Sequence, residues 1–218
     1  MSEDITPPLD QASLEAIVAA DVAITAEVAH HPGLPEWLGT ECAARVLADP
    51  RSVVLALFGV GLTQDPPSDD LLTRAAKWLG RMMAGLGWRE SRLGLMLARD
   101  GSGDNEHGWG PWQADIRSWP AEVAAIRALV VGSDKWWVAC LQLCAGIYLS
   151  AAAEYPGRLE AGACRYNCSH PGVEMGLVAG DPNLHTTGHD YGRSVMGWVN
   201  ARWPEMPAPS LSLAPPSV

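Results

Sequence analysis

Three carboxylates stand where residue types and spacing could support acid–base chemistry. Glu90 follows Trp88 by two positions and precedes Leu93, Leu95 and Met96. Asp104 and Asp115 lie in the next segment, DGSGDNEHGWGPWQADIRSWP, residues 100–120. A carboxyl group among apolar and aromatic neighbours is desolvated, which disfavours its charged form and raises its pKa. Such a group can donate a proton near neutral pH. Aspartates in a wetter, glycine-flexible loop stay ionised and can orient or deprotonate a water. An acid on a helix facing bases on a loop is the division of labour that glycoside hydrolysis requires. Plainer roles stay open to the same residues. Glu90 also fits an exposed helical residue paired to Arg89 or Arg92, and Asp104 and Asp115 fit turn formers or caps.

The elements that must position these groups read as mostly helical. Apolar residues at helical spacing predict helices over 10–31, 36–48, 70–86, 88–98, 121–131, 136–153, 157–165 and 190–202. The run 52–62 is continuously apolar, and its periodicity does not decide its type. Residues 100–120 read as loop with short strands. Residues 136–153 meet the lower length limit of a membrane span. Gln142, Ser150 and the lack of flanking basic clusters favour a buried central helix instead. The expected organisation is a disordered terminus over 1–9, a helical extension over 10–65, a catalytic domain over 66–203 and a Pro-rich disordered tail over 204–218.

Composition narrows the partners. The chain has 218 residues, 25 acids against 15 Lys and Arg, and a net charge of −10. That balance argues against general nucleic-acid binding, which needs clustered cations to neutralise phosphates. It argues equally against adhesion to an anionic membrane. Ten Trp stand beside four Tyr and a single Phe. A Trp has a flat face and a polar N–H, so the skew fits either a ligand surface or a Trp-rich core. Trp88, Trp109, Trp112 and Trp119 accompany the carboxylates and lean towards the ligand surface, whereas Trp136 and Trp137 begin the most apolar helix and read as core. The five Cys form no disulfide scaffold; burial as small apolar residues is favoured over bridging within or between 140/144 and 164/168. The start MSEDITPPLD carries no secretory signal pattern.

Four segments occur in a telling order: Glu90-Ser91-Arg92, Gly110-Pro-Trp-Gln113-Ala-Asp115, Tyr166-Asn167, and Thr186-Thr187-Gly188-His-Asp190-Tyr191-Gly-Arg-Ser-Val195. Together they resemble the goose-type lysozyme and soluble lytic transglycosylase group over about residues 70–203. The resemblance implies a mainly α, lysozyme-like fold: a helical bundle around a long buried central helix, with a small irregular or β insert forming the cleft. It implies Glu90 as general acid, with Asp115 and Asp104 matching the two aspartates of goose-type members. Gln113, Trp112, Tyr166, Asn167 and Tyr191 would line the sugar site, Trp112 stacking on a ring, and His107 is a further candidate for a sugar contact. The expected reaction is hydrolysis, with inversion, of the β-1,4 bond between N-acetylmuramic acid and N-acetylglucosamine in peptidoglycan. The partner would be the glycan strand and the protein a monomer without cofactor, metal or membrane insertion. Two departures stand out: Pro111-Trp112 replaces Leu-Met before the Gln, and Arg165 replaces Ala before Tyr-Asn. A locally basic or neutral cleft built with Arg89, Arg92, Arg117 and Arg165 would reconcile the acidic chain with an anionic substrate. Such an enzyme acts on the wall outside the cytoplasm, which fits a phage-encoded or virion-associated lysin.

Three alternatives remain. Transglycosylases of this group work with the Glu alone and leave anhydro-muramic ends. A zinc-dependent wall hydrolase could draw on His185, His189 and Asp190, or on Cys164, Cys168 and His170, although neither spacing suits zinc well. A non-catalytic wall-binding module would have no use for an acid opposite aspartates.

Overall fold

A computed structural model describes residues 9–23, 31–59, 67–103 and 107–204. The architecture is mainly helical with one small β insert, as the sequence predicts. The described helices are α1 (Gln11–Val22), α2 (Leu34–Ala48), α3 (Pro50–Phe58), α4 (Asp69–Ser91), α5 (Pro120–Arg127), α6 (Asp134–Glu154), α7 (Leu159–Asn167), α8 (His170–Val178) and α9 (Tyr191–Arg202). Between α4 and α5 lies an antiparallel sheet in the order β1 (Ser102–Gly103), β2 (Gly108–Trp109) and β3 (Ala114–Asp115).

Helix starts follow local chemistry. Asp10, Asp49, Ser68, Ser133 and Ser169 each accept a backbone N–H two or three positions into the helix they cap, satisfying donors that have no intrahelical partner. The described part of the undecided apolar run belongs to α3, begun by Pro50 and closed by left-handed Gly59, and its residues 60–62 lie outside the described residues. Helix α8 was not anticipated, although Ser169 followed by Pro171 is a start signal of the same kind.

A second difference concerns α4. The expected break at Gly87 does not occur; one helix runs through it to Ser91. Gly87 serves packing instead. A Cβ there would sit 2.8 Å from the Leu93 side chain and 2.9 Å from the Trp112 indole nitrogen. The helix stops only at Arg92 and Leu93, both left-handed at φ 55°. Residues without glycine's freedom hold such angles at a cost of about 1–3 kcal/mol each. Here the completely buried Leu93, whose N–H bonds to Gly87 O, offsets it.

The N-terminal helices share their core with the rest of the described residues. One core cluster runs from Leu14 to Trp203, with α1 and α2 packed on α4, and α2 and α3 on α6. Arg81 of α4 grips Asp21 of α1 through two 2.7 Å hydrogen bonds, both side chains being nearly buried. Removing one partner of such a pair costs about 3–5 kcal/mol. Helix α6 is long and apolar enough to cross a membrane, and half of its apolar window is buried inside the protein. It packs on α2, α3, α5, α7 and β3. All five cysteines are free thiols and four are buried.

Candidate functional site

The described residues enclose a groove of about 1010 Å³ between two walls. The inner wall comes from the end of α4, one face of α6, the end of α7 and the start of α9. The outer wall comes from the small sheet and the turn through Trp119. Glu90, Asp115, Gln113, His107, Tyr166, Asn167 and Tyr191 all line this groove. Asp104, with its neighbours Asn105 and Glu106, lies outside the described residues.

Glu90 sits in the last turn of α4, partly buried. The Tyr191 hydroxyl donates a hydrogen bond to its Oε1. Burial, and next to it the Glu90 charge, push the Tyr191 phenol well above its ordinary pKa. Burial likewise lifts the Tyr166 phenol, with Cys144 and Glu90 adding to the effect. The Cys144 thiol is pushed up to about 12, mainly by burial. Tyr191 therefore stays neutral across the ordinary pH range and reaches Glu90 as a donor.

A buried polar knot holds Tyr191 in place. Asn183 is fully buried and uses every polar group it has. Its amide nitrogen donates to Glu160 at 2.6 Å and to Asp181 at 3.2 Å. Its Oδ1 accepts the Arg193 N–H at 3.0 Å, and its backbone oxygen accepts the Thr186 hydroxyl at 2.8 Å. Thr186 Oγ1 then accepts the Tyr191 N–H at 3.3 Å, fixing the first residue of α9. Asn167 Oδ1 accepts the Thr187 N–H at 2.8 Å, joining the end of α7 to the same turn. Tyr166 and Asn167 thus close α7 at this turn. Ser91 has a comparable task. Buried, it donates to Pro111 O and accepts the Gly94 N–H, both at 2.7 Å, clamping the end of α4 to the floor of the insert.

The outer wall is built from turns. Gln113 is left-handed at φ 53°, held there by bonds from its backbone and side-chain nitrogens to Gly110 O at 3.0 and 2.8 Å. Its amide lies so close over Gly103 and Gly108 that a Cβ at either would collide with it. Register then pairs Gly108 with Asp115. Arg117 clasps that carboxylate through its Nε and Nη2 at 3.0 Å and its backbone N–H at 2.9 Å. The Arg117 side-chain bonds, against a smaller opposing effect of burial, hold Asp115 below the usual carboxylate range.

Several expectations require correction. Trp112 offers no face to a ligand: it is completely buried, donates from its indole to Met83 O at 2.7 Å, and packs edge-on against Trp137. Only its backbone oxygen serves the site, accepting the Tyr166 hydroxyl at 2.7 Å. Trp109 is buried too, and Trp88 stacks on Trp198 beneath the Arg92 guanidinium. Among the four tryptophans near the carboxylates, Trp119 alone lines the groove. Arg92 is turned to Trp88 and is absent from the lining, whereas Arg89, Arg117 and Arg165 are in it. Against these three cations stand Glu90, Asp115 and Glu154. The groove is formally neutral within a chain of charge −10.

The reading from sequence missed Asn183, Glu154 and the positioning of Tyr191 by Thr186. Asn183 carries no local pattern that separates it from a turn residue. Among the described residues no group of three or more His, Cys, Asp or Glu could hold a metal. Cys164 is turned to Asn183, and His170 to Glu154 and Tyr155. No family model, curated protein or solved structure matches the chain.

Proposed function

We propose that the groove binds a peptidoglycan glycan strand and that Glu90 cleaves its β-1,4 bond as general acid. The observation that carries this reading is Glu90 itself, a partly buried carboxyl in a groove wall, oriented by a neutral phenol and sharing the groove with an ionised aspartate. Glu90 gives its proton to the glycosidic oxygen as the bond to the sugar's anomeric carbon breaks. A water attacks that carbon from the opposite face, and its proton passes to an aspartate. Asp115 suits that task because it stays ionised, and Asp104 is the second candidate from the motif order. The glycosidic bond is replaced by one hydroxyl on each fragment, with inversion at the anomeric carbon. Support also comes from the four segments in goose-type order, all of which contribute residues to this groove.

A second reading has one observation in its favour. Both Asp115 oxygens are engaged by Arg117, which leaves that carboxylate little freedom to take a proton from water. Glu90 acting alone would let the muramic 6-hydroxyl attack instead, giving anhydro ends. Mass spectrometry of purified wall digests separates the two. Reducing muramic ends are expected; anhydro-muramic ends would move the assignment to a lytic transglycosylase. Intact walls after prolonged incubation would overturn both.

A further inference from the structure

Beyond the reacting centre, the groove contains an ion pair with unused bonding capacity. Ile147, Ser150, Ala151 and Glu154 line it from one face of α6, and Arg165 lines it from α7. Glu154 Oε2 accepts both Arg165 Nε at 2.8 Å and His170 Nδ1 at 2.7 Å. Arg165 Nη1 donates to Cys168 O at 3.3 Å. Among the described residues, Glu154 Oε1 and Arg165 Nη2 have no hydrogen-bond partner. Each side chain is about one third exposed, at 32%. Burial works to raise the Glu154 pKa, but Arg165 and His170 outweigh it and hold the carboxyl below its usual range. One wall therefore presents an ionised acceptor and a cationic donor side by side, each anchored through its other atoms. Anchoring reduces the ordering cost when a ligand binds.

We propose that this pair receives a zwitterionic amino-carboxylate on the substrate, the ammonium at Glu154 and the carboxylate at Arg165. A free amino-carboxylate occurs at the end of the side chain in a peptide stem that carries an uncross-linked diamino-dicarboxylic acid; a lysine stem offers only the ammonium. Reach is consistent with this. Cys144 lies close enough to Glu90 to feel its charge, and Glu154 is ten residues further along the same helix, about 15 Å at 1.5 Å per residue. Three extended stem residues span about 10 Å, and the lactyl link adds the remainder. The inference deepens the reading of the groove as a glycan-strand site and rests on it.

Binding is measured apart from turnover, so the two ideas fail separately. The probes are disaccharide-tripeptides ending in meso-diaminopimelate or in lysine, titrated calorimetrically into the Glu90→Gln protein. Binding at least tenfold tighter for the diaminopimelate probe is expected. Glu90→Gln protein that also carries Arg165→Met or Glu154→Gln should show less than a threefold preference. Should the Arg165 variant fail to fold, Glu154→Gln decides, because it keeps an acceptor for Arg165 Nε and removes only the charge. Equal affinities, binding of neither probe, or a preference that survives in the folded variants would overturn the inference. A preference found in a protein that leaves walls intact would instead overturn the cleavage reading and leave the amino-carboxylate site standing.

Discussion

On the inner wall of the groove Glu90 meets a neutral phenol, and on the outer wall Asp115 meets a guanidinium. The inner contact joins residues 101 positions apart and is backed by the Asn183–Thr186 knot. The outer contact joins neighbours two positions apart, at the surface. These arrangements suit opposite tasks. A neutral donor orients a carboxyl in either protonation state, whereas a fixed cation keeps a carboxylate ionised. The inner wall depends on the whole tertiary structure, and the outer wall on one tight turn. Substitutions should therefore propagate differently on the two sides.

The largest effect tests the inner wall directly. Glu90→Gln should lower wall-degrading activity by about 10²–10⁴-fold, the usual worth of a general acid, with the melting temperature nearly unchanged. A variant of wild-type activity in a turbidity assay would remove Glu90 from the mechanism. Next comes its support. Asn183→Ala should cost about 2–3 kcal/mol in urea unfolding, because Glu160 and the Arg193 N–H lose the Asn183 side chain as partner. It should also reduce activity beyond the stability loss, since the first turn of α9, which carries Tyr191, loses the acceptor of the Arg193 N–H. A stability change within error would show that the knot is not what holds this wall.

Alkali probes the same side. Burial raises the pKa of all four tyrosines, Tyr155 to about 12 and the others in the same direction. Groups raised in this way contribute stability that is full below the unfolded phenol value, about pH 10, and is lost as pH rises towards the folded values. Phenolate absorbance should therefore lag behind that of free tyrosine and appear together with unfolding. Ionisation of Tyr191 or Tyr166 near pH 10 in folded protein would contradict their burial beside Glu90.

The smallest effect belongs to the outer wall. Asp115 is held low by Arg117, so the contribution of this pair is present above the ordinary aspartate pKa and is lost as pH falls through the depressed folded value. Arg117→Ala should return the Asp115 titration, followed by carboxyl NMR, upward towards the ordinary value. Stability near neutral pH should change little, because the pair is largely exposed. An unmoved titration would mean that another group controls Asp115.

Much of the fold was legible because helix formation is local. Apolar spacing marked seven of the nine described helices, and acidic or hydroxyl caps stand at several of their starts. The misreadings have local causes as well. Gly87 resembles a break when only propensity is considered, yet the close approach of Trp112 requires it within a continuous helix. The nine-residue α8 was too short for its periodicity to be noticed, despite its Ser-Pro start. At the site, residue types and order pointed to Glu90, Asp115, Gln113, His107, Tyr166, Asn167 and Tyr191, all of which line the groove. They misassigned Trp112 because sequence position cannot report which side of a floor a ring occupies.

The tryptophan excess shows where the division falls. Sequence alone determined the helices, their caps, the acidic net charge and the clustering of candidate carboxylates with aromatics. Each depends on residue type or on neighbours within a turn or two. Tertiary structure decided that the Trp112 and Trp109 rings enter the core while Trp119 faces the groove. It also decided that Tyr191 meets Glu90 and that three arginines neutralise the cleft. Burial and pairing are set by atoms brought together from distant parts of the chain, and no local pattern encodes which of those surfaces will be covered.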